Sequence, residues 1–260
     1  MHFQILLETI SQNWLIIIFF FAVAILYSSV GFGGGSSYLA ILALTGIIYT
    51  QIRATALLCN IVVVSGNVFL YYQQNKLDLK KIIPLVLFSV PFAYLGGYLK
   101  ISQEFFFILL GFTLLFAAIS MWITKRIVAS NKKNIPTKKV KNAAFGGFIG
   151  FISGMIGIGG GIFLAPLLHL TNWDTPKRIA ATASLFILVN SIAGLMGQYS
   201  NPDFIINWPL TSVLLVTVFI GGRIGNTISN QLFSPIQLKK ATAILIAFVS
   251  IRVLCKHFFT

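Results

Sequence analysis

An all-helical polytopic membrane protein made of two tandem repeats is the fold class that this sequence predicts. Hydrophobic residues make up 57% of the 260 residues and charged residues only 9%, with a mean hydropathy of +0.89. No soluble domain of this length could carry that composition on its surface. The apolar runs, such as 14–30 and 105–123, are continuous rather than alternating, which indicates helices and not a transmembrane barrel. A glycine-rich motif occurs twice, 126 positions apart, which indicates the duplication.

The predicted helices are apolar segments separated by polar or glycine-rich stretches. They lie at 14–30, 36–48, 54–72, 82–99, 104–124, 143–156, 162–170, 178–198, 208–230 and 236–255. Between the fifth and the sixth lies a stretch with seven basic residues, no acidic residue and Pro136. We therefore expect a first membrane repeat (1–124), a basic cytoplasmic connector (125–141) and a second membrane repeat (142–260).

The two halves match in more than their glycine runs. Ala54-Thr55-Ala56 corresponds to Ala181-Thr182-Ala183, and Gly96-Gly97 corresponds to Gly221-Gly222. If each glycine-broken stretch crosses the membrane once, the repeats are parallel; if each turns back at its glycines, they are inverted. The inverted scheme places more of the Lys and Arg residues on the side of the connector, so the positive-inside rule favours it. We expect about seven or eight membrane-inserted helices in total, with a re-entrant or discontinuous helix in each repeat.

Other glycines recur at the spacing of close helix contacts. They stand at every fourth position in two segments: Gly146, Gly150 and Gly154, then Gly221 and Gly225. Small residues at this spacing allow two membrane helices to approach closely. We expect tight packing along both segments.

The glycine runs themselves are the main candidate site. Four glycines in five positions cannot sustain a helix, and inside a bilayer a backbone break survives only where protein buries it or where it lines a cavity. Helices that begin just after the runs, near Ser36 and Ile162, would direct their unpaired amides and positive dipole ends at the breaks, which suits an anion. The alternative is that glycine merely permits tight packing of a re-entrant hairpin. The candidate ligands at the two runs are Gly33, Gly34, Gly35, Ser36, Ser37, Gly159, Gly160 and Gly161.

Polar residues outside the glycine runs extend this candidate site. Arg53 stands at the start of an Ala/Thr-rich helix and could attract an anion, or could anchor the helix at the interface by snorkelling. Thr55 and Thr182 could continue the path as neutral donors. Arg223 lies within an apolar segment, at a depth where a charge usually faces a partner or a watery cavity; if its helix ends near Gly222, it is an ordinary surface charge.

Several other classes of function find little support. The net charge of +14 gathers at helix ends and in the connector, without the interleaved aromatic residues of a nucleic-acid surface. Cys59 and Cys255 are too few for a disulfide framework or a metal site. Four amide side chains lie inside predicted spans and could bind substrate or simply bond a neighbouring helix: Asn60, Asn67, Asn190 and Gln198. No acidic residue lies mid-span, which disfavours a cation pump, and no nucleotide-binding motif is present. We therefore expect no cofactor and no metal.

The paired glycine elements resemble those of the sulfite exporter TauE/SafE family of membrane proteins. The resemblance rests on Val30-Gly31-Phe32-Gly33-Gly34-Gly35 and on 154–161, each followed by an Ala/Thr-rich helix, and on Gly221-Gly222-Arg223-Ile224-Gly225. It covers nearly the whole chain. It implies a permease of the cytoplasmic membrane that moves small anionic sulfur compounds or organic sulfonates. The first repeat departs from the family pattern in Ser36-Ser37 and in lacking a proline after its glycines.

The sequence thus leads to a secondary transporter whose glycine breaks meet near mid-membrane and bind an oxyanion. Its expected partners are a small anionic substrate and the lipid bilayer, with no nucleic acid and with a homo-oligomer left open. One alternative is an intramembrane hydrolase with Ser36 or Ser37 as nucleophile and His169 as base. The other is a non-transporting membrane subunit or assembly factor.

Overall fold

A computed structural model describes residues 2–123, 139–171, 173–202, 204–228, 244 and 246–255. In this part of the chain the secondary structure is helical and contains no strand, so the predicted all-helical fold is confirmed. The helices are α1 (His2–Gln12), α2 (Trp14–Ser29), α3 (Gly35–Ala43), α4 (Tyr49–Gln73), α5 (Leu79–Tyr98), α6 (Gln103–Ile123), α7 (Lys139–Ile156), α8 (Gly161–Leu170), α9 (Pro176–Tyr199), α10 (Trp208–Ile228) and α11 (Ile246–Cys255). The predicted connector, except its last residues in α7, and the start of the final predicted span lie outside the described residues.

The described helices include enough crossings for a multi-pass membrane protein. Five of them, α4, α5, α6, α9 and α10, are long and apolar enough to span a bilayer. α1 and α2 are bent by 77° at the break between them and would together supply a sixth crossing. α1 was not anticipated from the sequence. α3 and α8, with 9 and 10 residues, are too short to cross, because a span needs about 20 apolar residues.

The two short helices are held inside the protein. In α3, every residue from 35 to 42 is buried. In α8, Leu164 and Leu168 pack against Ile149 of α7 and Phe186 of α9. α3 begins at Gly35 and α8 begins at Gly161, each within one residue of the start that the glycine runs predict. The starts of both short helices thus lie in protein rather than lipid, as a broken backbone inside a membrane requires.

In each half of the chain, one helix packs between helices of the other half. α5 of the first half lies along α7 and α9 of the second, and α10 of the second half lies along α2 and α4 of the first. α4 and α9 contact one another between these two groups. A twofold axis through the contact of α4 with α9 would produce this reciprocal arrangement. The duplication itself stays a prediction from the sequence.

The regularly spaced glycines lie where α7 and α10 meet their neighbours. A Cβ on Gly146, Gly150 or Gly154 of α7 would overlap the main chain of α5, and one on Gly221 or Gly225 of α10 would do so against α2. The facing carbonyls belong to Leu85, Ser89 and Ala93 in α5, and to Phe21 and Ile25 in α2. The predicted close helix contacts are therefore confirmed.

Contacts at the helix ends show the relative directions of α4, α5 and α9. Lys81 Nζ lies 2.8 Å from Asp174 Oδ2, which joins the start of α5 to the loop before α9. At the other end, Tyr94 Oη and Ser200 Oγ are 3.0 Å apart, so α5 and α9 run in the same direction. α4 runs the opposite way, because Arg53 near its start bonds to the C-terminal end of α5. The two helices that carry the matching Ala-Thr-Ala motifs are thus antiparallel, as inverted repeats require.

The ion pair at the starts of α5 and α9 controls the ionisation of Asp174. Burial disfavours the charged form and would raise the pKa of Asp174. Hydrogen bonds from Lys81 Nζ and the Thr175 amide, together with the charges of Lys81 and Arg178, outweigh that effect and lower this pKa below its usual value. The Lys81 ammonium also lies 5.4 Å from the centre of the Trp173 ring. Asp174 therefore stays charged at neutral pH and links the two helix starts.

Cysteine labelling should place the starts of α5 and α9 on the same side of the membrane. In a cysteine-free background, we expect Lys80→Cys and Lys177→Cys to react with a membrane-impermeant maleimide from one side only. Lys100→Cys and Ser200→Cys should react from the other side only, because all four positions are exposed at opposite ends of α5 and α9. Labelling after permeabilisation is the control for reactivity. Reaction of positions 80 and 177 from opposite sides would contradict the shared direction of α5 and α9.

Candidate functional site

The helical backbone is broken at both glycine runs. The first break covers residues 30–34 and the second covers 157–160. Gly31, Gly34, Gly157, Gly159 and Gly160 all have φ between 82° and 91°, a conformation that side chains disfavour. The two breaks predicted from the sequence are therefore confirmed.

The two breaks lie against each other. A Cβ on Gly35 would stand 2.7 Å from the carbonyl oxygen of Ile158 in the second break. Asn60 of α4 lies between them, and its Nδ2 donates a hydrogen bond of 2.9 Å to that same Ile158 carbonyl. A Cβ on Gly33, Gly35 or Gly159 would come within 3 Å of the Asn60 amide. Because Asn60 is close to the midpoint of the 25-residue α4, the breaks meet halfway along this helix.

Free backbone donors converge at this junction. Among the described residues, the amides of residues 33–36 and 159–162 have no hydrogen-bond acceptor. The α3 N-cap is Gly34 and the α8 N-cap is Gly160, and neither contributes a side-chain cap. The first amides of a helix and the positive end of its dipole together form a natural anion site.

Four buried side chains beside the breaks also have a polar atom without a partner. In the described part of the chain these atoms are Asn60 Oδ1, Tyr38 Oη, Ser153 Oγ and Ser191 Oγ, on side chains with no exposed surface. Positions for a Cβ on Gly34, Gly160 and Gly159 lie 3.1, 3.3 and 2.7 Å from the Tyr38, Ser153 and Ser191 oxygens, respectively. Sequence reasoning missed Tyr38, Ser153 and Ser191. The only available signal was that Tyr38 and Ser153 lie four residues from a glycine of their own run.

The predicted hydroxyl ligands are buried but engaged elsewhere. Ser37 Oγ lies 2.9 Å from Tyr27 Oη, and Ser36 Oγ lies 3.5 Å from the same oxygen. Thr55 Oγ1 is 3.0 Å from Thr211 Oγ1 on α10. Thr182, the other predicted donor, bonds to a carbonyl of its own helix, α9. The side chains of Ser36 and Ser37 remain next to the first break, whereas those of the two threonines make helix contacts.

Arg53 contacts helix ends rather than an open site. Its side chain is 3% exposed. Nη2 donates to the carbonyls of Gly97 and Gly154 at 3.2 Å and of Gly96 at 3.4 Å. These carbonyls lie in the last turns of α5 and α7, where a cation is favoured by the helix dipole. The guanidinium thus joins the C-terminal ends of two helices that meet beside the second break.

Arg223 and His169 are not brought to the junction. Arg223 lies on the exposed side of α10, with its guanidinium 5.5 Å from the centre of the Phe219 ring. His169 is eight residues from Gly161 along α8, about 12 Å by helical rise. That separation does not support the hydrolase alternative, which requires His169 beside Ser36 or Ser37.

Two further buried amides hold helices together. Asn67 Nδ2 donates to the Phe32 carbonyl and so ties the first break to α4. Asn190 Nδ2 donates to Ser89 Oγ on α5. Ser184 Oγ on α9 bonds to the carbonyl of Gly31. α4 and α9, which contact each other, therefore each hold part of the first break by side-chain bonds.

The arrangement can bind a small anion without a basic side chain. Two helix N-termini supply up to eight free amides, and the hydroxyls of Tyr38, Ser153 and Ser191 stand beside them. No group of three His, Cys, Asp or Glu side chains that could hold a metal occurs among the residues that the structure describes. The chemistry available is hydrogen bonding to an anion by neutral donors that are buried among the packed helices.

Comparisons with known proteins agree over most of the chain. The family profile described as "Sulfite exporter TauE/SafE" matches residues 15–253. "Probable membrane transporter protein y4hK" of Sinorhizobium fredii is 31% identical over 241 residues, which are 90% of this chain and 95% of the relative. "Probable membrane transporter protein MJ0441" of Methanocaldococcus jannaschii is 26% identical over 185 residues, covering 66% of this chain and 67% of the relative. No solved structure matches the chain significantly.

Proposed function

Because the chain belongs to the sulfite exporter TauE/SafE family of membrane transporters, we propose that its cargo is a small sulfur oxyanion, sulfite or an organic sulfonate. It is a multi-pass protein of the cell membrane. The family name and the neutral donor set at the two breaks both suit an anion with several oxygens. The proposal assigns no catalytic role to Ser36, Ser37 or His169.

The observation that carries the proposal is the meeting of two helix N-termini with unpartnered amides. A buried polar group without a partner costs about 1–3 kcal/mol, and an anion that accepts several of these hydrogen bonds would offset that cost. Since no carboxylate of the described residues lies at the junction, no negatively charged side chain there repels an anion. Gly33, Gly34, Gly35, Gly159, Gly160 and Gly161 supply the backbone of the site, with Ser36, Ser37, Ser153 and Ser191 nearby.

We propose that the junction opens to the two sides of the membrane in turn. The first break is tied to α4 through Asn67 and to α9 through Ser184, and the second is tied to α4 through Asn60. A rocking movement of one half against the other would alter these bonds and open the junction first to one side and then to the other. With no nucleotide-binding motif in the sequence, we propose that an ion gradient or the gradient of the anion itself drives transport.

Flux in proteoliposomes tests the proposal. The purified protein should accelerate uptake of sulfite, sulfoacetate or thiosulfate into vesicles that contain an unlabelled pool of the same anion. Protein-free vesicles and chloride uptake are the controls. The proposal would be wrong if none of the three sulfur anions moved faster than in the protein-free vesicles. Flux that appears only after a second membrane protein is added would instead support the subunit alternative.

A further inference from the structure

Asn60 places a hydrogen-bond acceptor in a site made otherwise of donors. Its side chain is completely buried, at the contact between the two breaks. The Nδ2 bond of 2.9 Å to the Ile158 carbonyl fixes the orientation of the amide, because the flipped amide would set two oxygens against each other. The oxygen Oδ1 is therefore turned towards the first break, where a Cβ on Gly33 would overlap it.

This oxygen has no donor in the described part of the chain. The main-chain amides of residues 33–36 and 159–162 are themselves without acceptors, yet none of them bonds to Oδ1. Buried acceptors of this kind are satisfied by a ligand or an ordered water. A fully deprotonated oxyanion cannot do so, since it would bring an oxygen of its own against Oδ1. A ligand with one O–H or N–H next to its anionic oxygens can satisfy both the amides and Oδ1.

We propose that Asn60 selects anions that carry a hydrogen-bond donor on the sulfur centre, such as hydrogensulfite, over anions of the same charge and shape that lack one. The inference rests on the proposed function and adds the class of anion that the site prefers. A site with a buried polar group left unpaired rejects the analogue that cannot pair with it. One unsatisfied acceptor corresponds to a preference of about ten-fold to a hundred-fold.

Sulfamate and methanesulfonate form a matched pair for the test. Both are monoanions at all working pH values and both present three oxygens on sulfur, but sulfamate has an amino group where methanesulfonate has a methyl group. Each is added as a competitor of labelled sulfite uptake in proteoliposomes. In the wild-type protein we expect the inhibition constant of sulfamate to be at least about ten-fold lower than that of methanesulfonate.

Two variants test whether Asn60 causes the preference for sulfamate over methanesulfonate. Asn60→Leu should bring the two inhibition constants to within about two-fold of each other, because the leucine has no acceptor. Asn190→Leu is the control: it removes another fully buried asparagine of a central helix, whose amide is turned to Ser89 and the α9 backbone, and it should keep the preference. Equal inhibition by the two anions in the wild type, or a preference that survives in Asn60→Leu, would overturn the inference.

A second measurement needs no variant, and it tests the preference for donor-bearing anions if Asn60→Leu does not fold. Wild-type uptake of sulfite should fall from mildly acidic to mildly alkaline pH in step with the fraction of hydrogensulfite, while uptake of sulfamate stays constant. Uptake that follows the fully deprotonated fraction would contradict the selection of a donor-bearing anion. Because sulfite flux itself is the test of the proposed function, an absence of all flux would refute that function, whereas flux without donor preference would refute only the inference.

Discussion

Replacing Gly35 by alanine should reduce sulfite flux at least about ten-fold per reconstituted protein. Gly35 is the first residue of α3 and does not have a positive φ, so alanine is compatible with its backbone. The added Cβ would nevertheless overlap Asn60 Nδ2 and would lie 2.7 Å from the Ile158 carbonyl. The Asn60 side chain cannot turn aside without losing its bond to that same carbonyl. The two breaks must therefore separate, which would pull apart the two sets of amides that we propose bind one anion.

Gly222→Ala provides the matched control. Gly222 is also a buried helical glycine, but a Cβ there would meet Val63 at 3.6 Å, an ordinary van der Waals distance. We expect flux and the thermal unfolding midpoint of this variant to stay near those of the wild type. The unfolding midpoint of Gly35→Ala should fall only modestly, since over-packing typically costs about 1–3 kcal/mol. Wild-type flux in Gly35→Ala would show that contact between the breaks is not needed for transport.

The backbone features of the site could be predicted from the sequence because clustered or regularly spaced glycines in an apolar segment have few structural explanations. Four glycines in five positions within an apolar segment cannot remain helical, so the breaks and the starts of α3 and α8 followed directly. The regular glycines of α7 and α10 likewise mark contacts, because only a missing side chain lets helix backbones approach so closely. These features depend only on local sequence, so each can be predicted from a single segment.

The side chains of the site were harder to predict because their roles depend on which helices meet. Asn60 resembles Asn67 and Asn190 in the sequence, and only the packing of α4 between the two breaks distinguishes it. Arg53 could be read as an anion ligand, since the sequence does not show that the ends of α5 and α7 converge on it. Arg223 is a different case: Gly221 and Gly225 face α2, and the period of the helix places residue 223 on the opposite side. A helical projection could have predicted its exposed position.

Replacing Arg53 by methionine should lower the free energy of unfolding by about 2–4 kcal/mol. Methionine keeps much of the apolar volume but removes the guanidinium that bonds to the carbonyls of Gly96, Gly97 and Gly154. These carbonyls lie at the ends of α5 and α7 in a buried environment, where no water can replace the lost donor. The measurement is the unfolding equilibrium of the purified protein in mixed micelles, followed by circular dichroism.

Arg178→Met is the control for the loss of an arginine, and the comparison separates the two roles considered for Arg53. Arg178 is exposed at the start of α9 and lies 3.8 Å from Asp174, so its replacement should cost less than about 1 kcal/mol. If Arg53 links the helix ends, Arg53→Met should lose stability while the folded fraction retains its apparent affinity for sulfite. If Arg53 binds the anion directly, affinity should fall at nearly unchanged stability, because the carbonyl bonds would then contribute little. The stability of Arg53→Lys should lie between that of the wild type and that of Arg53→Met, since one ammonium keeps the charge but cannot reproduce the planar fork of donors.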